Sequence, residues 1–138
     1  MNNKHVFIEK LRSSGLRPTA QRIEICKLLF DRKDTFHFSI SDLKNNLENL
    51  SSKKISLATI YNTIHAFKEK GYLKEISINS DKTYFDTNVS NHHHFFDENK
   101  KELIDLNDND VGKIKIKKSL PGKKIKSIEL LVKIANSN

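Results

Sequence analysis

The sequence predicts an α+β protein, with a winged helix-turn-helix domain over residues 1–88 and a small β-rich domain over 89–138. Three observations lead there. Four helical patterns run in succession before Gly71, and two β-prone runs joined by Asn79-Ser80-Asp81 follow them. Beyond the polar tract "DTNVSN" (86–91), apolar residues recur at strand rather than helix spacing.

Taken in order, residues 4–13 and 19–32 each read as a helix, separated by "SSGLRP"; Gly15 can end the first and Pro18 precedes the second. In the second, Ile25, Leu28 and Leu29 share a face, with Ile23 and Phe30 beside it. Ser39 is placed to cap a third helix with Asp42 in its first turn, and Leu43, Leu47 and Leu50 form its apolar stripe. Ser56 is placed to cap a fourth over 57–70, which Gly71 terminates; Leu57, Ile60, Ile64 and Phe67 make its inward stripe. The runs "YLKEISI" and "KTYFDT" then form a hairpin. Further on, "HHHFF" and "ELIDL" read as two strands around a charged turn. The stretch 107–118 stays open between helix and strand, because "KIKIK" alternates while Asp108 and Asp110 can open a short helix. Residues 125–134 read as a long final strand with Ile128, Leu130, Val132 and Ile134 on one face.

Composition narrows the function. Twenty-five Lys and Arg against seventeen Asp and Glu give a net charge of +8, which favours a polyanionic partner: nucleic acid or an anionic membrane face. The apolar run Ile128–Ile134 is too short and too charged to cross a bilayer, so no membrane span is expected. No cationic start followed by an apolar stretch marks a signal peptide, and a cytoplasmic location is the expectation. A single cysteine, Cys26, excludes an internal disulfide and any multi-cysteine zinc cluster.

Helices followed by a two-stranded hairpin is the order of a winged helix, whose recognition helix enters the major groove of DNA. The fourth helix is the candidate. Opposite its stripe lie Ala58, Thr59, Asn62 and Ala66, with Tyr61 and Thr63 at the edges. Short, non-acidic side chains permit close approach to base edges, Asn62 can pair with one, and methyl groups can meet thymine. Arg17, Arg22 and Lys82 fall where such proteins meet phosphates or the minor groove. The alternating face of the last strand needs a partner sheet, and a two-fold DNA site needs two recognition helices, so a homodimer is expected.

The elements "GLRPTAQRIEI", "SLATIYNTIHAFKEKGYL" and "KTYFDT", followed by a histidine cluster, resemble the ferric uptake regulator family in order and spacing, from Gly15 to about Leu106. The Ser56–Thr63 element is specific. Within the family, "YFDTN", "HHHFF" and "LID" resemble the iron response regulator branch. The resemblance implies a dimeric transcriptional regulator of iron and haem genes that binds a double-stranded operator through its winged helix, including Ser56. In that branch haem signals iron sufficiency and inactivates the protein. The departures are equally definite. There is no Cys-x-x-Cys pair for structural zinc, and Cys26 is followed by Lys27 rather than the proline of a haem motif. The helix expected between Leu106 and Ile125 looks shortened or lost, and His65 stands where the family often has Asn.

Strand alternation puts His92 and His94 on one face and His93 on the other, so one metal cannot easily take all three. The resemblance supplies further candidate ligands, His37, Asp86 and Asp105, giving a mixed N/O set suited to Fe, Mn or Zn; another metal-binding histidine of the family falls on Phe96. Alternatively, one imidazole of His92, His93 or His94 serves as an axial haem ligand, with Phe95 and Phe96 against the porphyrin. Three rivals to a haem-sensing regulator therefore stand: a direct metal-sensing repressor, a non-sensing winged-helix module, and a metal-dependent hydrolase using the cluster with Asp86 and Asp105. The last lacks any HExxH, HxxEH, glycine-rich phosphate loop or nucleophile elbow.

Overall fold

The structure is a computed structural model and describes residues 3–50 and 54–137. It divides into two compact units, Met1–Val89 and Ser90–Asn138. Among the described residues no helix is long and apolar enough to cross a membrane.

The first unit holds helices α1 (Lys4–Ser13), α2 (Ala20–Phe30), α3 (Ile40–Leu50) and α4 (Leu57–Lys70), with strands β1 (His37–Phe38), β2 (Lys74–Asn79) and β3 (Lys82–Asp86). Caps set most of these limits. The Thr19 hydroxyl accepts from the Arg22 amide at 3.3 Å, that of Ser39 from Asp42 at 3.1 Å, and that of Ser56 from Thr59 at 3.1 Å, each satisfying a donor the helix leaves free. Gly71 ends α4 in the left-handed region at φ 92°. A Cβ there would meet nothing within 4 Å, so Gly71→Ala carries only the backbone penalty, and a thermal melt should show a loss of about 1–2 kcal/mol.

One core fills this unit: Phe7 and Leu11 of α1, Ile25 and Leu29 of α2, Leu43 and Leu47 of α3, and Ile60, Ile64 and Phe67 of α4. Two expected stripe residues are outside it. Leu57 is 45 % exposed and Leu50 73 % exposed, each at a helix end where the described residues leave it largely uncovered. Conversely Thr63, expected at the edge of the outward face, is fully buried; its hydroxyl donates to the Thr59 carbonyl at 2.7 Å and so needs no other partner.

The sheet has order β1-β3-β2, all antiparallel. The wing turn is closed by the Asp81 amide donating to the Asn79 side chain at 2.9 Å. The short β1 leaves no signature in the sequence: two residues carry too little pattern to read, and only the β3 edge makes them a strand.

The second unit is a sheet of order β5-β4-β6, built from β4 (His93–Asp97), β5 (Glu102–Leu106) and β6 (Leu131–Ile134). β4 pairs antiparallel with β5 and parallel with β6. The expected strand over 125–134 is thus only four residues long, because only Leu131–Ile134 pair with β4. Residues 107–118 are neither helix nor strand beyond a 3₁₀ turn at Asp108–Asp110. Phe96, Leu103, Leu106 and His94 are buried, while Val132, Ile104, Ile116, Leu120 and Ile125 remain exposed.

Candidate nucleic-acid surface and metal donors

On α4, the core stripe leaves Ala58, Tyr61, Asn62 and His65 exposed along one side, with Thr59 and Ala66 half-buried. The hydroxyls of Ser56 and Thr59 lie 2.8 Å apart and serve the helix cap, so both residues do structural duty at the helix start. Arg17 is exposed, whereas Arg22 is half-buried and its Nη1 donates to the Arg17 carbonyl at 3.0 Å. Arg22 therefore braces the turn that presents Arg17. Lys82 is half-buried at the start of β3. The wing is tied to α4 by Lys68 and Glu75 at 2.7 Å, and that hydrogen bond holds the Lys68 ammonium above its ordinary value. Arg17, Thr19, Arg22 and Thr59 line one open concavity.

The first donor pair lies in the same unit. The β1–β3 register sets His37 opposite Asp86, and Nε2 of His37 is 3.1 Å from Oδ2 of Asp86. Asp86 is fully buried; its other oxygen accepts from the Asn88 amide at 2.8 Å. A buried carboxylate requires such partners. Across the sheet, Lys74 is opposite Asp86 in register; burial lowers its ammonium while Asp86 opposes that shift.

The second donor set lies in the other unit: His92 just before β4, His94 on β4 and Asp105 on β5. His92 and His94 project to one face with ring centroids 4.2 Å apart. Their Nε2 atoms lie 3.2 Å and 3.1 Å from the same oxygen, Oδ1 of Asp105. His93 points to the other face, where its Nδ1 accepts from the Leu130 amide at 2.9 Å and holds the approach to β6. His93 is thus a brace, apart from the donor set.

The tautomer of His92 decides the chemistry. Its Nδ1 lies 2.7 Å from the Ser90 carbonyl, which can only accept, so Nδ1 carries the hydrogen. In the neutral ring Nε2 then presents an acceptor lone pair towards Oδ1 of Asp105 at 3.2 Å, and a cation placed between the two serves both. An imidazole whose Nδ1–H is held by a carbonyl and whose Nε2 faces a carboxylate is the arrangement of a metal-ligating histidine. The residues present fit a divalent cation.

Cys26 is fully buried, and burial pushes its thiol up to about 12 against the opposing pull of Lys10. Iodoacetamide should leave it unlabelled at neutral pH in the folded protein and label it after denaturation. The fold favours the neutral thiol, so this group's contribution to stability is fully present below its ordinary value of 9.0 and lost as pH rises towards 12.

A winged-helix unit followed by a small β unit carrying His and Asp donors defines the class: a DNA-reading fold joined to a candidate metal-binding module. The ferric uptake regulator family model matches residues 13–133, and the chain belongs to that family. It is 31% identical over 99 residues to the peroxide operon regulator of Bacillus subtilis, covering 72% of this chain and 66% of that protein. It is 34% identical over 101 residues to the peroxide-responsive repressor PerR of Staphylococcus epidermidis, covering 72% and 64%. The matches thus span just under two thirds of these relatives. Among solved structures, the Vibrio cholerae ferric uptake regulator superposes with a TM-score of 0.69 at 20% identity, covering 94% of this chain and 98% of that one. The Pseudomonas aeruginosa ferric uptake regulator with manganese gives 0.67 at 19%, covering 96% and 99%. These two support the α+β architecture.

Proposed function

We propose that this protein is a homodimeric, sequence-specific DNA-binding transcriptional regulator, acting as a repressor, whose operator affinity is set by a divalent cation. Family membership supports the regulatory class and replaces the hydrolase reading. The observation that carries the metal is the convergence of the Nε2 atoms of His92 and His94 on one oxygen of Asp105, with Nδ1 of His92 held by the Ser90 carbonyl. His37, Asp86, His92, His94 and Asp105 are the candidate ligands, a mixed N/O set suited to Fe, Mn or Zn. Such an ion would supply a fixed positive charge, and the protein's own part is to supply the carboxylates and imidazoles. A cation that binds the DNA-competent state better than the other raises DNA affinity by linkage.

In the DNA complex, Ala58, Tyr61 and Asn62 face base edges, and Arg17 and Lys82 meet phosphates. Arg22 acts through the turn that carries Arg17, and Ser56 and Thr59 hold the first turn of α4 in place. Asn62→Ala should cost roughly 1–3 kcal/mol on the specific site and little on random DNA, read by competition binding. Equal losses on both would remove Asn62 from base reading.

The iron response regulator resemblance carries a second reading, haem as effector through His92, His93 and His94. The pairing of His92 and His94 with one carboxylate and the burial of Phe96 favour the small cation. A single experiment separates the effectors. Metal-depleted protein is footprinted on a duplex it selects from random sequence, with Mn(II), haem or peroxide added in turn. A two-fold footprint that depends on Mn(II) is expected. Footprinting indifferent to Mn(II) but abolished by haem would overturn the cation in favour of haem, and no footprint under any condition would sink the regulator.

A further inference from the structure

The basic charge of the second unit is concentrated in one place. From Ser90 onward the chain has ten lysines against seven acidic residues, and seven of those lysines fall between Lys113 and Lys126 with no Asp or Glu among them. Without that stretch the unit is acidic. All seven are exposed, on a segment with no helix or strand. Among the described residues none of the seven has an ion-pair partner. A β-turn sits at the middle: Pro121 and Gly122 (φ 74°) take its central positions and the Lys123 amide donates to the Leu120 carbonyl at 3.1 Å. The turn reverses the chain, so Lys117 and Lys118 leave one side of the bend and Lys123 and Lys124 the other.

Fold stability does not explain this arrangement. Like charges crowded on an exposed loop repel one another, and no described acidic residue pairs with them. A polyanion does. We propose that the 113–126 excursion is a second, sequence-independent contact to the phosphate backbone of duplex DNA, separate from the recognition helix. It rests on the DNA-regulator reading above. Lysines are point charges that need no fixed geometry at a phosphate, which suits a segment without regular structure. The exposed Ile116, Leu120 and Ile125 interleave the lysines, a pattern also compatible with an anionic bilayer surface, so the test includes that surface.

The 138-residue chain loaded with Mn(II) is compared with two quadruple variants at Lys117, Lys118, Lys123 and Lys124, one with all four changed to Gln and one with all four changed to Arg. Binding to a selected site within a long duplex is measured across a salt series. The Gln variant should lower the slope of log affinity against log salt by up to about 0.9 for each lysine removed, and the Arg variant should retain the wild-type slope. The melting curve and the Mn(II) titration should be unchanged, because the altered side chains are solvent-exposed. An unchanged slope in the Gln variant, with wild-type DNA binding intact, overturns the contact and leaves the regulator standing. Intact DNA binding with loss of binding to phosphatidylserine vesicles assigns the segment to membranes instead. Absence of DNA binding by the wild type defeats the regulator reading itself and this contact with it.

Discussion

Asp105→Ala should weaken Mn(II) binding by at least the roughly 10–100-fold seen when a metal site loses even a supporting group. One oxygen of Asp105 serves both His92 and His94, at 3.2 Å and 3.1 Å, so its removal takes the only carboxylate from that half of the donor set. The fold should survive: the Asp105 side chain is itself exposed, and Leu103 and Leu106 supply the packing of β5. Calorimetric titration of the metal-depleted protein reads the affinity, and a denaturation curve checks the fold. By linkage, whatever operator affinity the cation adds should fall with it. Asp105→Asn separates charge from shape, since it keeps the volume and one acceptor but loses the anion; it should behave nearly as Ala does. Wild-type Mn(II) affinity in both variants would remove Asp105 from the ligand set.

Phe67→Ala should destabilise the first unit by about 3–5 kcal/mol, measured by urea unfolding. Phe67 is fully buried on α4 and meets Phe30 edge-on at 5.6 Å and Tyr72 at 6.0 Å. Truncation leaves a cavity beneath α4, so the specific DNA binding proposed for that helix should weaken as well. The contrast is Leu57→Ala at the start of the same helix, 45 % exposed, which should stay within about 0.5 kcal/mol of wild type. A large loss there would mean that Leu57 is covered in solution.

The Leu57 contrast also shows where reading from sequence stops. Periodicity assigned Leu57 and Phe67 to one stripe, and both do lie on that side of α4. Which stripe positions are covered depends on where α2, α3 and the wing end, and spacing carries none of that. Thr63 errs the other way: it looked like a surface residue, but its hydroxyl is satisfied within its own helix, so burying it costs little. The final strand was overestimated because alternation extends from Ile128 to Ile134, yet a strand exists only where a partner does.

What the sequence by itself determined is local. Ser39, Ser56 and Gly71 mark helix ends because cap bonds and a positive φ involve residues three or four apart. Asn79-Ser80-Asp81 marks the wing turn for the same reason. The opposite facing of His93 against His92 and His94 follows from strand alternation alone. Only the tertiary structure decided that His37 stands across from Asp86, since that pairing joins strands nearly fifty residues apart and needs the β3 edge to exist. Only it showed that Leu130 holds His93, that Ser90 takes the Nδ1 hydrogen of His92, and that Asp105 faces two imidazoles with one oxygen. Those relations turn on distances between groups far apart or differently oriented along the chain, and they decide which nitrogen of His92 faces Asp105.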